Sequence, residues 1–482
     1  MLETQTNLAW DTFLPVDGGQ GPLHVRLTTA LRDAIRARRI AVGSALPPSR
    51  QLAADLGCSR WVVTEAYEQL VAEGYVEARI GSGTRIRRRD QDSPTLPADL
   101  PYAPKPPKFD LGPGLPDLAA FPRARWSQAL RDVMAKTPSA ELAYPPSGGS
   151  PRLRLVLADY LRRVRGAVVQ AEDVTITTGI IDGITRVART LVGAGHHRIA
   201  LEDPSWHRLQ QAVGRSGLEI VPIAVDGEGI RTDPLSAINV RAVIVAPAHQ
   251  FPTGTVLAPA RRTALLDWAA AVDGLILEDD YDAEFRYDRR PIGTVQGIDP
   301  ARVVLLGSLS KTLAPGLGLG WVVTPPRWTD ALRAVDTRMT GPSTLEQLTL
   351  ARFIETGAYD RHLRALRRRY RARRDRLVAA IAQQLPDFRL SGAVAGLHVI
   401  LSLPPGLVGT TVTAAARARG VRVMDLRTCR VNGSEAPDHR EAARPGTDSA
   451  NEGLVLGYGN LDDGAVGEAV AELACAVRGV QA

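Results

Sequence analysis

One lysine stands in a run of small and apolar residues in the second half of the chain, GSLSKTLAPGLGLGW, at residues 307–321. This residue, Lys311, is the only lysine after position 136. Most lysines are solvated surface charges, but a lysine among small and apolar neighbours is poorly solvated and loses its proton more readily. The neutral amine can then condense with an aldehyde to form a Schiff base. Lys311 is therefore the first candidate for covalent chemistry.

An acidic and aromatic cluster, EDDYDAEF, lies ahead of the lysine at residues 278–285. Asp279 and Tyr281 stand two residues apart within it. If the aldehyde is pyridoxal phosphate, Asp279 can pair with the protonated ring nitrogen and keep the ring an electron sink, and Tyr281 can donate to the phenolate oxygen of the ring. An acidic loop is ordinarily a solvated surface, so it is the position of the cluster ahead of Lys311 that favours a cofactor site.

Both groups follow apolar, β-branched runs of the kind that form buried parallel strands. Ligands bind at the carboxyl ends of the strands in such sheets, so the residues after each run are candidates for the site. The runs alternate with helical stretches, including residues 260–272, and this alternation predicts a mostly parallel sheet covered by helices. The predicted strands are residues 174–177, 198–202, 242–247, 275–280 and 303–308.

The composition predicts a cytoplasmic protein of two or three domains. The chain has 482 residues, of which 44% are hydrophobic, and this is too long for one ordinary domain. Its net charge of +7 permits a polyanionic partner without requiring one. The three cysteines show neither metal-ligand nor disulfide spacing, the N-terminus has no signal-peptide pattern, and no run approaches the length of a membrane span. We therefore expect a reducing cytoplasm and no membrane partner.

A proline-rich stretch divides a small N-terminal segment from a large one. Residues 90–108, DQDSPTLPADLPYAPKPPK, contain six prolines and no periodic apolar pattern, which is typical of a semi-rigid extended linker. Before this stretch, residues 24–38 form a predicted helix, and LPPSRQLAADLG begins a second helix after a proline turn. The apolar residues at helical spacing in the first helix are Val25, Leu27, Leu31 and Ile35.

A third predicted helix follows a tight turn at Gly57, and a hairpin with a glycine-rich tip follows it in YVEARIGSGTRIRR. Ser59 can cap this helix. Helix, helix, turn, helix, hairpin is the order of a winged helix-turn-helix, although charge alone would equally fit an arginine-coated helical domain. The predicted buried stripe of the third helix is Val62, Val63, Ala66, Leu70 and Val71. The candidate DNA contacts are Arg50, Ser59, Arg60, Thr64, Tyr67, Gly83 and Arg85.

The run LPPSRQLAADLGCSRWVVTEAYEQLVAEGYVEARIGSGT resembles the DNA-binding domain of the GntR family of bacterial regulators over nearly its whole length. It differs where Trp61 and Val62 follow Arg60, because the family often has small polar residues there. The resemblance implies double-stranded DNA as a partner, and the difference means that a base preference cannot be transferred.

From about residue 109 onward the chain resembles class I aminotransferases of pyridoxal-phosphate fold type I, and the fusion to a GntR-like head resembles the MocR/GabR-type subfamily. The resemblance implies an α/β large domain, with a mostly parallel sheet, flanking helices and a small C-terminal subdomain. The implied boundaries are residues 16–89 for the winged head, 90–108 for the linker and 109–482 for the effector and dimerisation domain. The matching motifs are FDLGPGLPDLAAFP, YPPSGGSPRLRLVLADYL, TTG, EDPSW, AHQFPTG, EDDYDAEF and GSLSKTLAPG.

Carried over residue by residue, this resemblance implies a pyridoxal 5'-phosphate site. Lys311 would form the Schiff base, while Asp279 would hold the ring nitrogen and Tyr281 the ring oxygen. Trp206 stands where the family stacks a tyrosine on the ring, and an indole can stack there too. The backbone amides of Gly179 and Ile180 at a helix start and the hydroxyls of Ser308 and Ser310 would bind the phosphate. Further implied contacts are Tyr144 to the phosphate of the partner subunit, and His249 and Gln250 to the ring edge.

Three departures from the aminotransferase pattern bear on activity. Gly318 replaces a phosphate-binding arginine, and one lost charge-assisted contact costs roughly 1.5 to 3 kcal/mol, or about ten- to a hundredfold in affinity. The segment TGIIDGI lacks the usual glutamines, and Val455 stands where an arginine holds the substrate carboxylate. The candidate effector residues are Arg208, Arg427 and Arg430, of which the last two fit ordinary loop arginines equally well.

These features predict a transcriptional regulator that senses an amine or amino-acid effector, or the cofactor itself, through Lys311. A head-to-tail homodimer would present two winged heads to two half-sites. Two alternatives stay open. One is an active aminotransferase that carries a DNA-binding head, and the other is a regulator whose large domain no longer binds the cofactor.

Overall fold

The computed structural model describes residues 14, 21–37, 39–79, 83–87, 106–143, 146–287, 292–335, 341–392, 394–431 and 452–481. The chain divides into two compact units, Met1–Pro104 and Lys105–Ala482. Most of the predicted linker, up to residue 105, lies outside the described residues. Within the described ranges, no helix is both long and apolar enough to cross a bilayer.

The smaller unit has the predicted order of a winged helix-turn-helix. Three helices precede an antiparallel hairpin, and their apolar faces meet in one core with Leu27, Leu52 and Val63 among its fully buried members. Pro47 and Pro48 precede the second helix, as predicted, and Gly57 follows it with φ of 61°. The elements are α1 Leu23–Arg36, α2 Ser49–Asp55, α3 Arg60–Ala72, β1 Val76–Arg79 and β2 Gly83–Ile86.

Two residues of the predicted stripes are exposed, so those predictions are wrong. Val25 is 48% exposed, because residues two apart do not share a helix face and α1 turns its Leu27 side inward. Val71 is 40% exposed, because the buried stripe of α3 passes through Tyr67 and Leu70 instead. Tyr67 lies four residues after Val63 and therefore on the same face of the helix. The sequence predicted it on the exposed face instead.

The strands of the larger unit form one large sheet and two small ones. All five runs predicted as strands are strands, and they are β4, β5, β8, β9 and β10. The strands are β3 Phe109–Asp110, β4 Val174–Thr177, β5 Arg198–Asp203, β6 Glu219–Asp226, β7 Gly229–Ile230, β8 Ala242–Val245, β9 Leu275–Asp279, β10 Val303–Ser308, β11 Gly320–Val323, β12 Leu390–Ser391, β13 His398–Ser402, β14 Val421–Arg422, β15 Met424–Asp425 and β16 Gly453–Gly457.

The large sheet has eight strands in the order β4-β11-β10-β9-β8-β5-β6-β7. The five strands from β10 to β6 are mutually parallel. Strand β11 runs antiparallel to both of its neighbours, and β7 runs antiparallel to β6. The prediction of a mostly parallel sheet is confirmed, and its carboxyl edge carries the candidate site.

Helices cover both faces of this sheet. Along β10, Val304 and Leu306 pack in one apolar cluster with helix α6 (Ile180–Gly193). Leu305 packs in another cluster with helix α5 (Pro151–Arg165). Burial on both faces is why these strands read as continuous apolar runs. The helices are α4 Arg123–Lys136, α5 Pro151–Arg165, α6 Ile180–Gly193, α7 His207–Arg215, α8 Pro259–Ala271, α9 Pro326–Ala334, α10 Thr344–Glu355, α11 Ala358–Gln384, α12 Gly409–Ala418 and α13 Val466–Gln481.

A small C-terminal subdomain is built on the sheet β12-β13-β16-β15. The first described strand of the larger unit belongs with it: β3 pairs in parallel with β14, with Phe109 opposite Val421. The Gly457 amide of β16 also donates to the Leu111 carbonyl at 2.7 Å. The segment after β3 then passes to the carboxyl edge of the large sheet, where its Gly114 carbonyl meets Lys311.

Candidate functional site

The carboxyl ends of the central strands converge on one edge of the large sheet. Asp279 is the last residue of β9 and lies opposite Leu306 of β10, so the chain that leaves β10 toward Lys311 emerges beside it. On the other side of β10, Ser308 lies opposite Gly320 of β11, which in turn lies opposite Thr177 of β4. The topology therefore gathers the predicted ring-binding and phosphate-binding segments at adjacent positions.

Lys311 is half-buried at this edge. Its Nζ donates to the Gly114 carbonyl at 2.5 Å and lies 5.9 Å from the centre of the Trp206 ring. Burial lowers the pKa of Lys311, and the nearby Arg208 lowers it further, although Asp282 and Asp279 act in the opposite direction. A larger share of the amine is therefore neutral and nucleophilic near neutral pH.

The Gly114 position requires a glycine. Its φ of +103° lies in the left-handed region, and a Cβ there would lie 3.3 Å from the Nζ of Lys311. The carbonyl can thus approach the amine closely only on a backbone without a side chain. The sequence reading missed this contact, although Gly114 lies within the quoted motif FDLGPGLPDLAAFP.

Asp279 presents an acceptor that has no donor. Its Oδ1 is buried and has no hydrogen-bond partner among the described residues. Burial, together with Asp282 and Asp280, raises the pKa of Asp279 to about 7, while Lys311 opposes the rise. A cationic N–H placed against this oxygen would satisfy it and restore the ionised carboxylate.

Tyr281 is held by a buried histidine and aspartate. The Nδ1 of His249 lies 3.0 Å from the Tyr281 hydroxyl and 2.9 Å from Oδ2 of Asp282. Both His249 and Asp282 are 2% exposed, and a Cβ on Gly396 would collide with the imidazole. Burial, and next the Asp282 charge, raise the pKa of Tyr281 well above its usual value, so the phenol stays protonated and can donate. Asp282 is a site residue that the sequence reading did not single out.

The N-terminus of α6, where the sequence predicts an anion site, has no side-chain cap. Gly179 occupies the N-cap position with φ of 138°, and the amides of the first turn begin at Ile180. Gly320 allows close packing here, because a Cβ on it would lie 2.8 Å from the Cα of Gly179. Ser308 is buried, with its Oγ 3.4 Å from the Ser310 amide nitrogen. Helix N-termini of this kind bind phosphate through free amides and the helix dipole.

Two further predicted cofactor contacts need separate comment. Gln250 is not available to a ring edge, because its amide donates to the carbonyls of Pro204 at 2.7 Å and Phe251 at 2.8 Å, and its Oε1 accepts from the Thr253 amide. It therefore orders its own loop. Tyr144 lies outside the described residues.

The three candidate effector arginines have different surroundings. Arg427 is tied to the small subdomain through Glu452 at 3.1 Å and Asp425 at 3.5 Å, so it is not a free clamp. Arg430 lies 3.7 Å from Asp203, and the adjacent Cys429 carbonyl accepts from the Ser205 amide, which places this loop against the turn before Trp206. Arg208 is exposed on the first turn of α7 and has no ion pair with any described residue.

In the head, the first turn of α3 presents exposed polar and aromatic groups. Arg60 is exposed, with its Nε 3.3 Å from the Ser49 hydroxyl, and Arg50 is exposed nearby on α2. Ser59 occupies the N-cap position as predicted, but its hydroxyl makes no capping hydrogen bond. Trp61 is 61% exposed, with its ring edge-on to His24 at 5.3 Å. An exposed aromatic ring at this position is a signal of a binding surface. The prediction of DNA contacts from polar and charged residues did not use this signal.

The remaining head predictions are mixed. Tyr67 is 7% exposed and donates its hydroxyl to the Pro47 carbonyl at 2.9 Å, so its assignment as a DNA contact is wrong: it is a core residue that fixes the turn before α2. Thr64 is half-buried, with its hydroxyl on the Arg60 carbonyl. Gly83 opens β2 with φ of 78°, and Arg85 of β2 is exposed with Nη1 3.1 Å from the Gly43 carbonyl.

Comparisons with known proteins agree with this two-part architecture. Residues 23–86 match the family of bacterial regulatory proteins of the gntR type, and residues 106–441 match aminotransferase class I and II. The pyridoxine biosynthesis transcriptional regulator PdxR of Corynebacterium glutamicum is 32% identical, covering 94% of this chain and 95% of its own. The probable rhizopine catabolism regulatory protein MocR of Rhizobium meliloti is 31% identical, covering 94% and 93%. The chain belongs to the MocR/PdxR-type family of GntR regulators.

Solved structures confirm the fold of the larger unit of this MocR-type regulator. An archaeal alanine:glyoxylate aminotransferase matches with a TM-score of 0.68 at 24% identity, covering 77% of this chain and 91% of that one. The multiple substrate aminotransferase of Thermococcus profundus matches with the same TM-score and identity. At this level of identity the likeness concerns the fold alone.

The site of the MocR-type regulator fits pyridoxal 5'-phosphate, the cofactor of the aminotransferase class I and II family. The deciding observation is the buried Oδ1 of Asp279, which lacks a donor that a protonated pyridine nitrogen would supply. Lys311 offers an amine with a lowered pKa, Trp206 offers an aromatic face, and the free N-terminus of α6 offers amides for a phosphate. These groups would hold the ring nitrogen, aldehyde carbon, ring face and phosphate respectively.

The family resemblance puts a phosphate-binding arginine at position 318, where this chain has a glycine. It adopts φ of +58°, and the nearest atom to a Cβ there would be the Thr178 carbonyl oxygen at 3.9 Å, so a side chain has room. We expect Gly318→Arg to bind pyridoxal phosphate about ten- to a hundredfold more tightly than Gly318→Ala, since an arginine–phosphate contact contributes roughly 1.5 to 3 kcal/mol. Both variants bear the same left-handed backbone cost, which makes alanine the matched reference.

Fluorescence titration with the cofactor measures this difference. Equal affinity of the Gly318→Arg and Gly318→Ala proteins would show that the position does not face the phosphate.

Glu202 gives the larger unit a pH-dependent stability. It lies at the end of β5, is 5% exposed, and accepts from the Ala246 amide at 3.1 Å. Burial raises the pKa of Glu202 from its ordinary 4.5 to about 8. Between these two pH values the unfolded chain loses a proton that the folded chain keeps. The free energy of unfolding therefore falls as pH rises from about 4.5 through 8, by about 5 kcal/mol for this group.

Glu202→Gln, which mimics the protonated acid, should match the wild type at pH 5 and be more stable than it at pH 9. Urea denaturation at the two pH values provides the measurement. Glu219→Gln, an exposed acid on β6, is the control and should keep the wild-type pH dependence. If Glu202→Gln keeps it as well, the carboxyl is ionised in the folded protein.

Proposed function

We propose that this MocR-type regulator uses pyridoxal phosphate held at Lys311 to sense a small amine that carries an anionic group. The observation that carries the proposal is that the predicted cofactor-binding residues are assembled, whereas the position of the arginine that binds the substrate carboxylate in aminotransferases holds another residue. Lys311, Asp279 and Tyr281 are assembled, but Val455, at the position of the aminotransferase arginine, is fully buried in an apolar cluster with Ile400 and Leu426. The centre can thus form a covalent bond to an amine, while the family's means of orienting a substrate for turnover is missing.

The bound cofactor supplies an electrophilic carbon and an electron-withdrawing ring. The protein residues set its environment. Asp279 would hold the ring nitrogen in the protonated state, and Tyr281, oriented by His249 and Asp282, would donate a hydrogen bond to the ring oxygen. The Lys311 amine, with its lowered pKa and its contact to the Gly114 carbonyl, would hold the cofactor through its aldehyde carbon.

The exposure and charge of Arg208 favour an effector that carries a negative charge. Its guanidinium is exposed and has no carboxylate partner among the described residues, and its charge is felt at the Lys311 amine. An amino acid that reacts through its amine would bring its carboxylate near this cation, and an arginine binds a carboxylate in a bidentate manner. Arg430, beside Asp203, is the second candidate for this role.

The head would read double-stranded DNA through the first turn of α3, with Arg60 and Trp61 near base edges and Arg50 near a phosphate. We infer a homodimer that places two heads on two half-sites. Trp61→Ala should weaken binding to the operator by about ten- to a hundredfold, since one specific base contact is worth about 1 to 3 kcal/mol. Val71→Ala removes an exposed apolar side chain from the far end of α3 and is the matched control.

The test of the sensing function is fluorescence anisotropy of the full chain on DNA from its own promoter region. Cofactor, and then a panel of amines with and without a carboxylate, are added in turn. We expect the affinity for DNA to change with the cofactor and with carboxylated amines, and Arg208→Gln to lose only the second response. Unchanged affinity throughout would refute sensing. Steady turnover with an amino acid and a keto acid would establish the enzyme instead.

A further inference from the structure

Helix α11, Ala358–Gln384, concentrates positive charge on the larger unit. It contains nine arginines and two aspartates, a formal charge of +7 (9 − 2), which equals the net charge of the entire chain. Such a helix is strained by self-repulsion unless its cations find partners. The contacts of each arginine therefore decide whether the charge is structural or is available to a ligand.

Six of the nine arginines serve the fold. Arg373 is buried between Asp117 and Asp463, and Arg369 contacts the same two carboxylates. The other four donate to backbone carbonyls or face an acid within the unit. They are Arg361 on the Thr356 carbonyl, Arg367 on the Glu284 carbonyl, Arg374 facing Asp375, and Arg376 on the Asp463 carbonyl.

The other three, Arg364, Arg368 and Arg371, form what we call the arginine stripe. All three are exposed, and none has a hydrogen bond or ion pair with any described residue. Their spacing of i, i+4, i+7 puts them on one face of α11, with successive axial steps of about 6 Å and about 4.5 Å. Both acids of α11 share this face but lie at the two ends of the stripe. Asp360, one turn before Arg364, is 3.3 Å from Arg163, and Asp375, one turn after Arg371, is 3.5 Å from Arg374.

Exposed arginines elsewhere on the unit are often paired. Arg152 contacts Glu355 at 2.6 Å, and Arg419 contacts Glu472 at 2.8 Å. Against that background, three aligned guanidinium groups with no carboxylate bound to them in the described ranges indicate a surface for an external anion with repeated charges. Guanidinium groups suit phosphate because they offer paired donors in a plane.

We propose that the arginine stripe is a second, sequence-independent DNA contact that binds the phosphate backbone of the duplex next to the sequence read by the head. The proposal rests on DNA binding by the head, which brings a duplex to the protein. Both units belong to one chain, so a duplex bound by the head is present at a high effective concentration for the larger unit. Duplex DNA offers a phosphate about every 3.4 Å along each strand, a density that three neighbouring cations can use.

The test compares the full-length wild type with Arg364→Gln/Arg368→Gln/Arg371→Gln. The control is Arg189→Gln/Arg215→Gln/Arg417→Gln, which removes the same charge from scattered, exposed arginines that have no ion pair within the described part of the chain. Each protein is titrated onto two duplexes: the minimal promoter fragment that the wild type protects from nuclease, and the same fragment with natural flanks on both sides. Affinity is measured from 0.05 to 0.3 M salt.

We expect the flanks to tighten wild-type and control binding, and the stripe variant to lose that gain, by about tenfold or more at 0.1 M salt. The slope of log affinity against log salt should become shallower by roughly 0.9 for each lost phosphate contact, or up to about 2.7 per chain. Equal slopes and equal flank effects in the two triple variants would overturn the proposal. A changed oligomeric state in sedimentation, with an unchanged salt slope, would also overturn it by making the stripe a protein interface. Failure of the wild type to bind either duplex would instead refute the proposed function.

Discussion

Lys311→Ala should abolish the visible absorption band that the wild-type chain gains with pyridoxal phosphate, and borohydride should then fix no cofactor to the protein. The expected effect is complete, because Lys311 is the only lysine after position 136 and its amine has the lowered pKa that favours condensation. The variant should also lose the response of DNA affinity to cofactor, while its basal DNA binding is retained by the head.

Lys136→Ala is the matched control for this experiment. Lys136 is an exposed lysine at the end of α4, and its removal should leave the band and the fixed adduct intact. Mass spectrometry of the reduced wild-type protein should place one adduct on Lys311. A band that survives in Lys311→Ala, or an adduct on another lysine, would contradict the assignment of the site.

Arg373→Met should lower the free energy of unfolding by about 3 to 5 kcal/mol, the cost of breaking a buried ion pair. Arg373 is 1% exposed, and its guanidinium donates to Asp463 at 2.8 Å, to Asp117 at 2.8 Å and to the Gly459 carbonyl at 2.6 Å. Removing it leaves the buried Asp117 without its main counter-charge. Urea denaturation should show a large drop in the midpoint.

Arg374→Met, one residue along the same helix, is the control. Its guanidinium lies 3.5 Å from the exposed Asp375, and an ion pair of this kind contributes about 0 to 1 kcal/mol. Because Asp117 follows Gly114 by three residues, Arg373→Met should also weaken cofactor binding, whereas Arg374→Met should not. Similar midpoints for the two variants would show that the buried network does not stabilise the fold.

The central strands of the large sheet could be predicted from the sequence, because a strand that is buried on both faces is a continuous run of apolar residues. Strands β4 and β10 have the predicted bounds. Strand β6 was missed because Pro222 interrupts its apolar residues and because only Ile223 of the strand is buried. Strand β11 was missed because it begins with a glycine of the Lys311 loop and follows that glycine-rich segment without a break.

The chemistry of the site was predictable where one short motif holds it, as with Asp279 and Tyr281. The contact of Lys311 with Gly114 spans 197 residues of sequence, and no local spacing indicates it. The roles of Tyr67 and Gln250 were misjudged for a related reason. A polar side chain in a motif looks functional in sequence, whereas in the structure its hydrogen bonds go to the backbone of a nearby turn.

The pairing of β3 with β14 determines which part of the larger unit the head is attached to. The chain that arrives from the head enters as a strand of the small C-terminal subdomain, with Phe109 beside Val421, and Lys108 contacts Glu468 of α13 at 2.7 Å. Any rotation of that subdomain over the sheet therefore displaces the anchor point of the connecting peptide directly. Only strand β3 and the turn after it separate the connecting peptide from Gly114, whose carbonyl contacts Lys311 at the sheet edge.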